Sequence, residues 1–272
     1  MVATSNLYPL NRGYLIFYKK YVIIYIESKE KVIIMKTYAC SDLHGCLNFY
    51  KAIKESLEPE DRVYFLGDAG DRGPQSWETL DAILNDPQFI FIKGNHEDML
   101  EKALFSYLTL GEEEITWSDD FNLLVSNGGT KTFTGARKSG QIGKLIRQLR
   151  DLPTHAIYVN KLGETVCLSH AGFTPWSDEN GQIEVPSKTD LIWDRLHFLD
   201  GAQDLWHEDA IVVHGHTPIP YLLDELDIKD EYDGGAWWYA DGRKCCIDTG
   251  AFFLDQTVLI DLDTWEEKIF VS

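Results

Sequence analysis

Five short polar blocks, each placed at or within one residue of the end of an apolar run, constrain this chain more than any other feature of its sequence. They are Ser41-Asp42-Leu43-His44-Gly45, Gly67-Asp68-Ala69-Gly70-Asp71-Arg72-Gly73, Gly94-Asn95-His96-Glu97, Ser169-His170-Ala171-Gly172 and His214-Gly215-His216-Thr217-Pro218. The runs before them, at 37–40, 63–66, 89–92, 166–168 and 210–213, have the length and the β-branched or aromatic content of buried strands. Stretches such as 48–57 and 77–84 carry apolar residues at helical spacing between them. Strands alternating with helices predict an α/β layered fold. Ligands in open α/β sheets collect beyond the carboxyl ends of strands, so five strand ends bearing Asp, His and Asn predict one convergent site.

The chemistry of that site follows from its donors. Taken singly, an Asp after a strand is a cap or turn residue and a lone His is a satisfied polar side chain. Together, with glycine adjoining every block, the residues supply the mixture of oxygen and nitrogen ligands that two divalent ions need. Asp42 and His44, two apart at a strand end, are expected to leave the backbone on the same side and hold one ion. Asp68 has two carboxylate oxygens and is expected to bridge to a second ion, whose shell Asn95, His170 and His216 complete. The donor set predicts Mn, with Fe or Zn as alternatives. Asp71-Arg72-Gly73 and His96 form a further layer: Arg72 is suited to clamp phosphoryl oxygens bidentately. His96 is suited to protonate a leaving oxygen, with Asp71 favouring its imidazolium. Trp193-Asp194-Arg195 offers Arg195 as a second clamp. Arg72, Asn95 and Arg195 are thus the candidate substrate contacts.

Composition narrows the partners. With 44 acidic against 25 basic residues the formal charge is −19, which repels polyanions and argues against nucleic acid. The five cysteines, Cys40, Cys46, Cys167, Cys245 and Cys246, show no metal-binding spacing, and reduced thiols in a cytoplasmic protein are expected. Cys40 and Cys167 read as core residues. Residues 1–34 differ from the rest. Lys19 and Lys20 interrupt their apolar runs well short of the roughly 20 residues of a membrane span, and no signal-peptide cleavage pattern follows. Met35 resembles a natural start, so 1–34 is expected to be an extension read from a misplaced start; an added strand or dimer arm and a membrane-surface segment are the alternatives. The catalytic domain is then 35–272.

Between Glu97 and Pro153 the chain carries a helix-like start at 98–108, an acidic loop at 111–120, the turn Asn127-Gly128-Gly129 and an amphipathic run at 142–152. It contains no proposed metal ligand and is expected to border the site and set substrate choice. The tail from 234 to 272 reads as strands joined by tight turns at Asp241-Gly242 and Asp263-Thr264.

These blocks resemble the calcineurin-like metallophosphoesterases, and within them the protein serine/threonine phosphatase branch in its bacterial and phage forms. The family pattern GDxHG, GDxxDRG, GNHE, HAG and GH matches here as SDLHG, GDAGDRG, GNHE, SHAG and HGHTP, over the chain from about Met35 onward. Asn127-Gly128-Gly129, Trp193-x-Arg195, Gly215-His216-Thr217-Pro218 and Ile247-Asp248-Thr249-Gly250 also look like the bacterial protein-phosphatase and dinucleoside-polyphosphate-hydrolase groups. The resemblance implies a single-domain sandwich of two mixed β-sheets flanked by helices. Ser41 stands where the family has a first Gly, a loop change expected to leave metal binding intact. Pro218 stands where the wider superfamily often has another ligand His, which leaves Asp42, His44 and Asp68 around the first ion. The resemblance maps the last ligand onto His216, and His214 is left as a possible ligand or a supporting residue. Asp248 is expected to orient a neighbouring group or to end a strand. His155, His197 and His207 match no motif.

The expected reaction is a single in-line displacement by a metal-bridging hydroxide on a phosphomonoester, in a phosphorylated protein or a small phosphoester, with no phosphoenzyme. A diadenosine tetraphosphate hydrolase is the alternative, and a non-catalytic scaffold of the same fold is a more distant one. Neither the oligomeric state nor a membrane role is indicated by the sequence.

Overall fold

The computed structural model describes residues 7–10, 13–18, 21–26, 35–173, 176–177, 183–184, 186–195, 210–228, 232 and 234–272. The chain divides into two compact units, Met1–Ile34 and Met35–Ser272. The first contains an antiparallel meander of β1 (Leu7–Leu10), β2 (Gly13–Tyr18) and β3 (Tyr21–Ile26). His197 and His207 lie outside the described residues.

The second unit is built on two five-stranded mixed sheets. In the first, β4 (Thr37–Cys40), β5 (Arg62–Phe65) and β6 (Phe89–Phe91) run parallel. A β-hairpin from the end of the chain, β14 (Gln256–Asp261) and β15 (Glu267–Val271), joins antiparallel to β4. In the second, β8 (Thr165–Ser169), β11 (Ala210–His214) and β13 (Lys244–Cys246) run parallel, with β7 (His155–Val159) and β12 (Trp237–Tyr239) antiparallel at the edges. A separate two-stranded ribbon pairs β9 (Trp176–Ser177) with β10 (Ile183–Glu184).

The strands are apolar on both faces because both faces are covered. Ala39, Val258 and Ile260 of the first sheet meet Val166, Leu168, Ile211, Val213 and Cys245 of the second in one buried layer. The alternate residues Tyr38, Cys40, Val63 and Phe65 turn to the outer side of the first sheet. There they pack against α1 (Leu47–Glu55), α2 (Ser76–Leu84), α3 (Asn95–Leu110), α5 (Thr130–Lys138) and α6 (Ile142–Asp151). On the outer side of the second sheet Cys167 and Val212 pack on Leu191 and Ile192 of α7 (Lys188–Trp193), and Cys246 on α8 (Ile219–Glu225). Cys40 and Cys167 are core residues, as their apolar surroundings predicted.

Two stretches differ from the sequence reading. The helix expected from residue 98 begins at Asn95, with Gly94 as its N-cap, so a candidate ligand lies in a helix's first turn. The acidic stretch at 111–120 is not simply a loop: it holds a 3-10 turn at Ile115–Trp117 and leads into α4 (Asp119–Ser126), capped by the Ser118 hydroxyl. Asn127-Gly128-Gly129 then turns α4 into α5. Propensity alone missed α4 and α5 because few of their side chains are buried; only Leu124 is buried in α4, and Thr132, Phe133 and Ala136 in α5. The tail forms the expected hairpins, with α9 (Ala251–Leu254) between them. Among the described residues no helix is long and apolar enough to cross a membrane.

The inter-sheet layer is expected to dominate stability. Ile260→Ala, at a fully buried position, should cost about 2–5 kcal/mol, whereas Ile157→Ala on the half-exposed edge strand should stay within about 0.5 kcal/mol; urea denaturation of the two variants checks the contrast.

Candidate metal centre

The loops leaving the strands carry the ladder pattern past the strand ends. Asp42 N donates to Gly67 O at 3.1 Å and His44 N to Asp68 O at 3.0 Å, so the first two blocks run side by side. Gly215 N donates to His170 O at 2.9 Å in the second sheet. The backbone then turns sharply: Asp42, His44, Asp68, Asp71, Arg72 and His216 all have positive φ, between 41° and 71°. Asp and His tolerate this left-handed region better than most residues, and Arg72 is the exception. Asp42 and His44 therefore come together through two left-handed residues and not through strand alternation, which corrects the reason given by their spacing. Two glycines are required by close approach: a Cβ on Gly94 would lie 2.3 Å from Asp68 Oδ1, and one on Gly215 would lie 2.0 Å from Asp42 Oδ2.

Asp68 is at the middle of the cluster. Its Oδ2 is 3.5 Å from His44 Nε2 and 3.7 Å from His96 Nε2, and its Oδ1 is 3.4 Å from His170 Nε2. Two buried groups of donors share it: His44, Asp68 and His96 on one side, Asp68, His170 and His216 on the other. Asn95 lies 2.9 Å from His170 Nε2, and His216 Nδ1 is 3.1 Å from the same nitrogen. Asp42 stands outside both groups, with Oδ1 4.0 Å from His44 Nε2 and Oδ2 accepting the His216 amide at 3.1 Å. His214 turns away: its Nε2 meets the Tyr239 hydroxyl at 2.7 Å.

Residues with no assigned role in the motifs hold this arrangement. Glu97 accepts from Asp68 N at 2.8 Å, Ala69 N at 3.0 Å and Gly94 N at 3.0 Å, tying the β5 loop to the start of α3. Thr132 receives the Asp71 amide at 3.0 Å and donates its hydroxyl to the Asp71 carboxylate. The Gly128 carbonyl accepts from Arg72 N at 3.1 Å. The segment between Glu97 and Pro153 thus supports the site directly. Ser41 does more than fill a loop, since its hydroxyl donates to Asp42. Glu97 was legible in principle, as the last residue of a GNHE block; Thr132 carried no local signal.

The His96 ring is oriented by Asp71, Nδ1 to Oδ2 at 2.6 Å. The Arg72 guanidinium spans two imidazoles, Nη1 2.7 Å from His44 Nε2 and Nη2 3.0 Å from His96 Nε2. Arg195, itself exposed, donates to Thr217 Oγ1 at 3.3 Å. Asp248 accepts from Gly250 N at 3.0 Å, a turn-forming contact.

The electrostatics are those of a site short of positive charge. Burial, then the nearby Asp248 and Asp68 carboxylates, pushes the Asp42 carboxyl well above the usual range. Burial pushes Asp248 up to about 7, and burial with Asp68 does the same to Glu97. Burial disfavours charge on His170, but Asp68 outweighs it and raises that imidazole to about 10. Burial would likewise raise Asp68, yet His170 and His96 hold it well below its ordinary value. His44 and His216 are kept neutral, first by burial and then by neighbouring cationic groups. Burial also opposes charge on His96, while Asp68 and then Asp71 raise its pKa.

This environment fits divalent ions. Asp42 Oδ1 and His216 Nε2 are buried with no hydrogen-bond partner, an arrangement that costs free energy unless something satisfies them. His44 and His216 are held in the neutral state that a metal-ligating imidazole needs. The field of Asp68 that draws a proton onto His170 draws a metal cation equally.

The sequence model of the calcineurin-like phosphoesterase family matches residues 35–251. The chain belongs to this family. The phosphoesterase is 29% identical over 188 residues to the serine/threonine-protein phosphatase 2 of Salmonella typhimurium, across 66% of this chain and 78% of that one. It is 26% identical over 290 residues to the symmetrical bis(5'-nucleosyl)-tetraphosphatase of Methylococcus capsulatus, across 87% and 95%. A protein serine/threonine phosphatase from Saccharomyces cerevisiae shares the fold with a TM-score of 0.54 at 14% identity, over 88% of this chain and 80% of that chain. A metallophosphoesterase from Sphaerobacter thermophilus does so at 0.50 and 16%, over 88% and 89%. The two-sheet sandwich is therefore the family fold, and the chain is a phosphoesterase of a metal-dependent class.

Glu97 supplies a test of the loop geometry. Glu97→Gln, which replaces a carboxylate oxygen facing amide donors by an amide, should weaken metal binding by about 10–100-fold. Calorimetric titration of the metal-free protein with Mn measures it, and wild-type affinity would show that these three amide contacts do not set the site.

Proposed function

We propose that this phosphoesterase hydrolyses phosphomonoesters and acts as a serine/threonine protein phosphatase. Residues 35–272 form its catalytic unit. Asp42, His44, Asp68, Asn95, His170 and His216 would hold two divalent ions, with Mn the first choice for a mixed oxygen and nitrogen set. When bound, such ions supply Lewis-acid stabilisation of the phosphoryl oxygens and lower the pKa of water. Five buried, unpaired cysteines support a cytoplasmic setting.

The observation that carries the reading is the His96 arrangement. A general acid needs one ring nitrogen oriented by a carboxylate and the other presented to the reacting group. His96 Nδ1 is fixed by Asp71, and Nε2 faces Asp68 and Arg72. Asp71 is itself held from both backbone and carboxylate by Thr132, so the imidazole cannot easily rotate away. His96 would deliver its proton from Nε2 to the leaving alkoxide. Arg72, once its donors leave His44 and His96 for substrate, would bind two phosphoryl oxygens with its fork, and Arg195 would add a second guanidinium. The proximity of Arg195 to His216 is reflected in its influence on that imidazole. The Salmonella relative supports a protein substrate.

A second reading keeps every role and changes the substrate to a dinucleoside tetraphosphate. The extent of the match to the Methylococcus relative, most of both chains, favours it. Metal-loaded enzyme assayed side by side on phosphoserine, phosphothreonine and phosphotyrosine peptides and on diadenosine tetraphosphate separates the two. The phosphoserine and phosphothreonine peptides are expected to turn over fastest, and faster cleavage of the tetraphosphate would select the second reading.

The acid role has its own test. His96→Asn should lower kcat/KM on a phosphoserine peptide by about 10²–10⁴-fold, and far less on an aryl phosphate whose leaving group needs no proton. Equal losses on both substrates would refute proton donation by His96.

A further inference from the structure

The helix that anchors Asp71 also walls a groove. α2 and α5 enclose a volume of about 550 Å³ whose lining includes Pro74, Trp77, Glu78, Lys131, Gly135 and Lys138. Trp77 lies directly on the backbone of α5, since a Cβ on Gly135 would be 2.3 Å from its Cγ. Lys131 and Lys138 are seven residues apart, so they share one face of α5 about 10 Å apart along its axis. Glu78 is the carboxylate among the lining residues.

The groove adjoins the loop that carries Asp71 and Arg72. Lys131 Nζ donates to the carbonyl of Gly73 at 3.2 Å, the residue after Arg72. Pro74 follows it into the groove lining. The next residue after Lys131, Thr132, holds Asp71.

Charge gives the groove its character. The chain carries −19 overall, yet residues 121–150 contain six Lys or Arg and no Asp or Glu. Arg137 and Arg150 are engaged with Glu112 and Glu101. Lys131 and Lys138 make no ion pair among the described residues and are both exposed. Charges more than about 8–10 Å away are largely screened at physiological salt. A local pair of ammonium groups therefore outweighs the distant acidic surface for whatever lies in the groove.

We propose that this groove binds the acidic flank of a phosphoprotein substrate, selecting phosphoserine or phosphothreonine sites that have Asp or Glu nearby along the chain. An extended peptide covers about 10 Å in three residues, so two carboxylates separated by that distance meet Lys131 and Lys138 together while the phosphate is at Arg72. The assignment rests on the phosphomonoester reading above and names the substrate class of that same site.

Three phosphoserine peptides of one length, with acidic, neutral or basic flanks, test it on the Mn-loaded full chain, with diadenosine tetraphosphate assayed beside them. The acidic peptide is expected to exceed the neutral one by about tenfold in kcat/KM, mainly through KM. Raising salt from about 50 mM to about 500 mM should erase that preference in the unaltered enzyme. The double variant Lys131→Glu, Lys138→Glu should abolish or invert it, and Lys131→Arg, Lys138→Arg should keep it. An enzyme that cleaves all three peptides alike, or a double Glu variant with the original preference, overturns the groove assignment and leaves the phosphomonoester reading standing. Cleavage of the tetraphosphate with none of the peptides overturns both.

Discussion

Asp68 keeps a charged carboxylate in a place where water cannot reach it, and the rest of the site is arranged around that fact. The side chain is 2% exposed and faces His44, His96 and His170. Burying such a charge is costly unless it is paired and hydrogen-bonded. The pairing comes from three strand-end loops, and the hydrogen bond from the His96 amide, in the first turn of α3, at 3.1 Å. That amide belongs to a helix N-terminus, where the exposed N–H groups favour negative charge. Moving α3 would strand the carboxylate, so the position of one helix is tied to the charge state of one residue.

The sandwich supplies what this cluster needs. Both sheets end their parallel strands at the same edge of the shared layer, so loops after β4 and β5 meet loops after β8 and β11. The short apolar strands leave little freedom to slide, because a shift of one residue would exchange the side chains of the inter-sheet layer with those that pack against the helices. The left-handed residues at the loop tips are strained individually, and the ladder bonds that continue beyond the strands hold them. Conformational strain is thus concentrated where the chemistry is, and the sheets offset it.

The helical segment between Glu97 and Pro153 has two duties. Through Gly128 and Thr132 it fixes Arg72 and Asp71, and through the two lysines and Gly135, on which Trp77 of α2 packs, it shapes the adjoining groove. Residues that position the acid and residues that face the groove alternate along α5, Lys131 beside Thr132. A change of substrate preference in this segment is therefore mechanically close to the proton donor.

Much was readable from the sequence because it was local. Each apolar run had to be buried, each ended at a polar block, and the blocks carried donors suited to divalent ions. That determined an α/β layered fold with a convergent site, to which the resemblance of the blocks to a known family added the two-sheet sandwich, and the residue types at positive φ, mostly Asp and His, are themselves the ones that tolerate such turns. What the tertiary structure alone decided is long-range. That Glu97 binds three amides from two loops, that Thr132 holds Asp71 sixty-one residues away, that Asp42 lies beside the two donor groups and that His214 turns to Tyr239 depend on pairings between distant segments. A hydroxyl or carboxylate in a one-dimensional sequence shows what it can bond, and only packing determines which partner comes within reach.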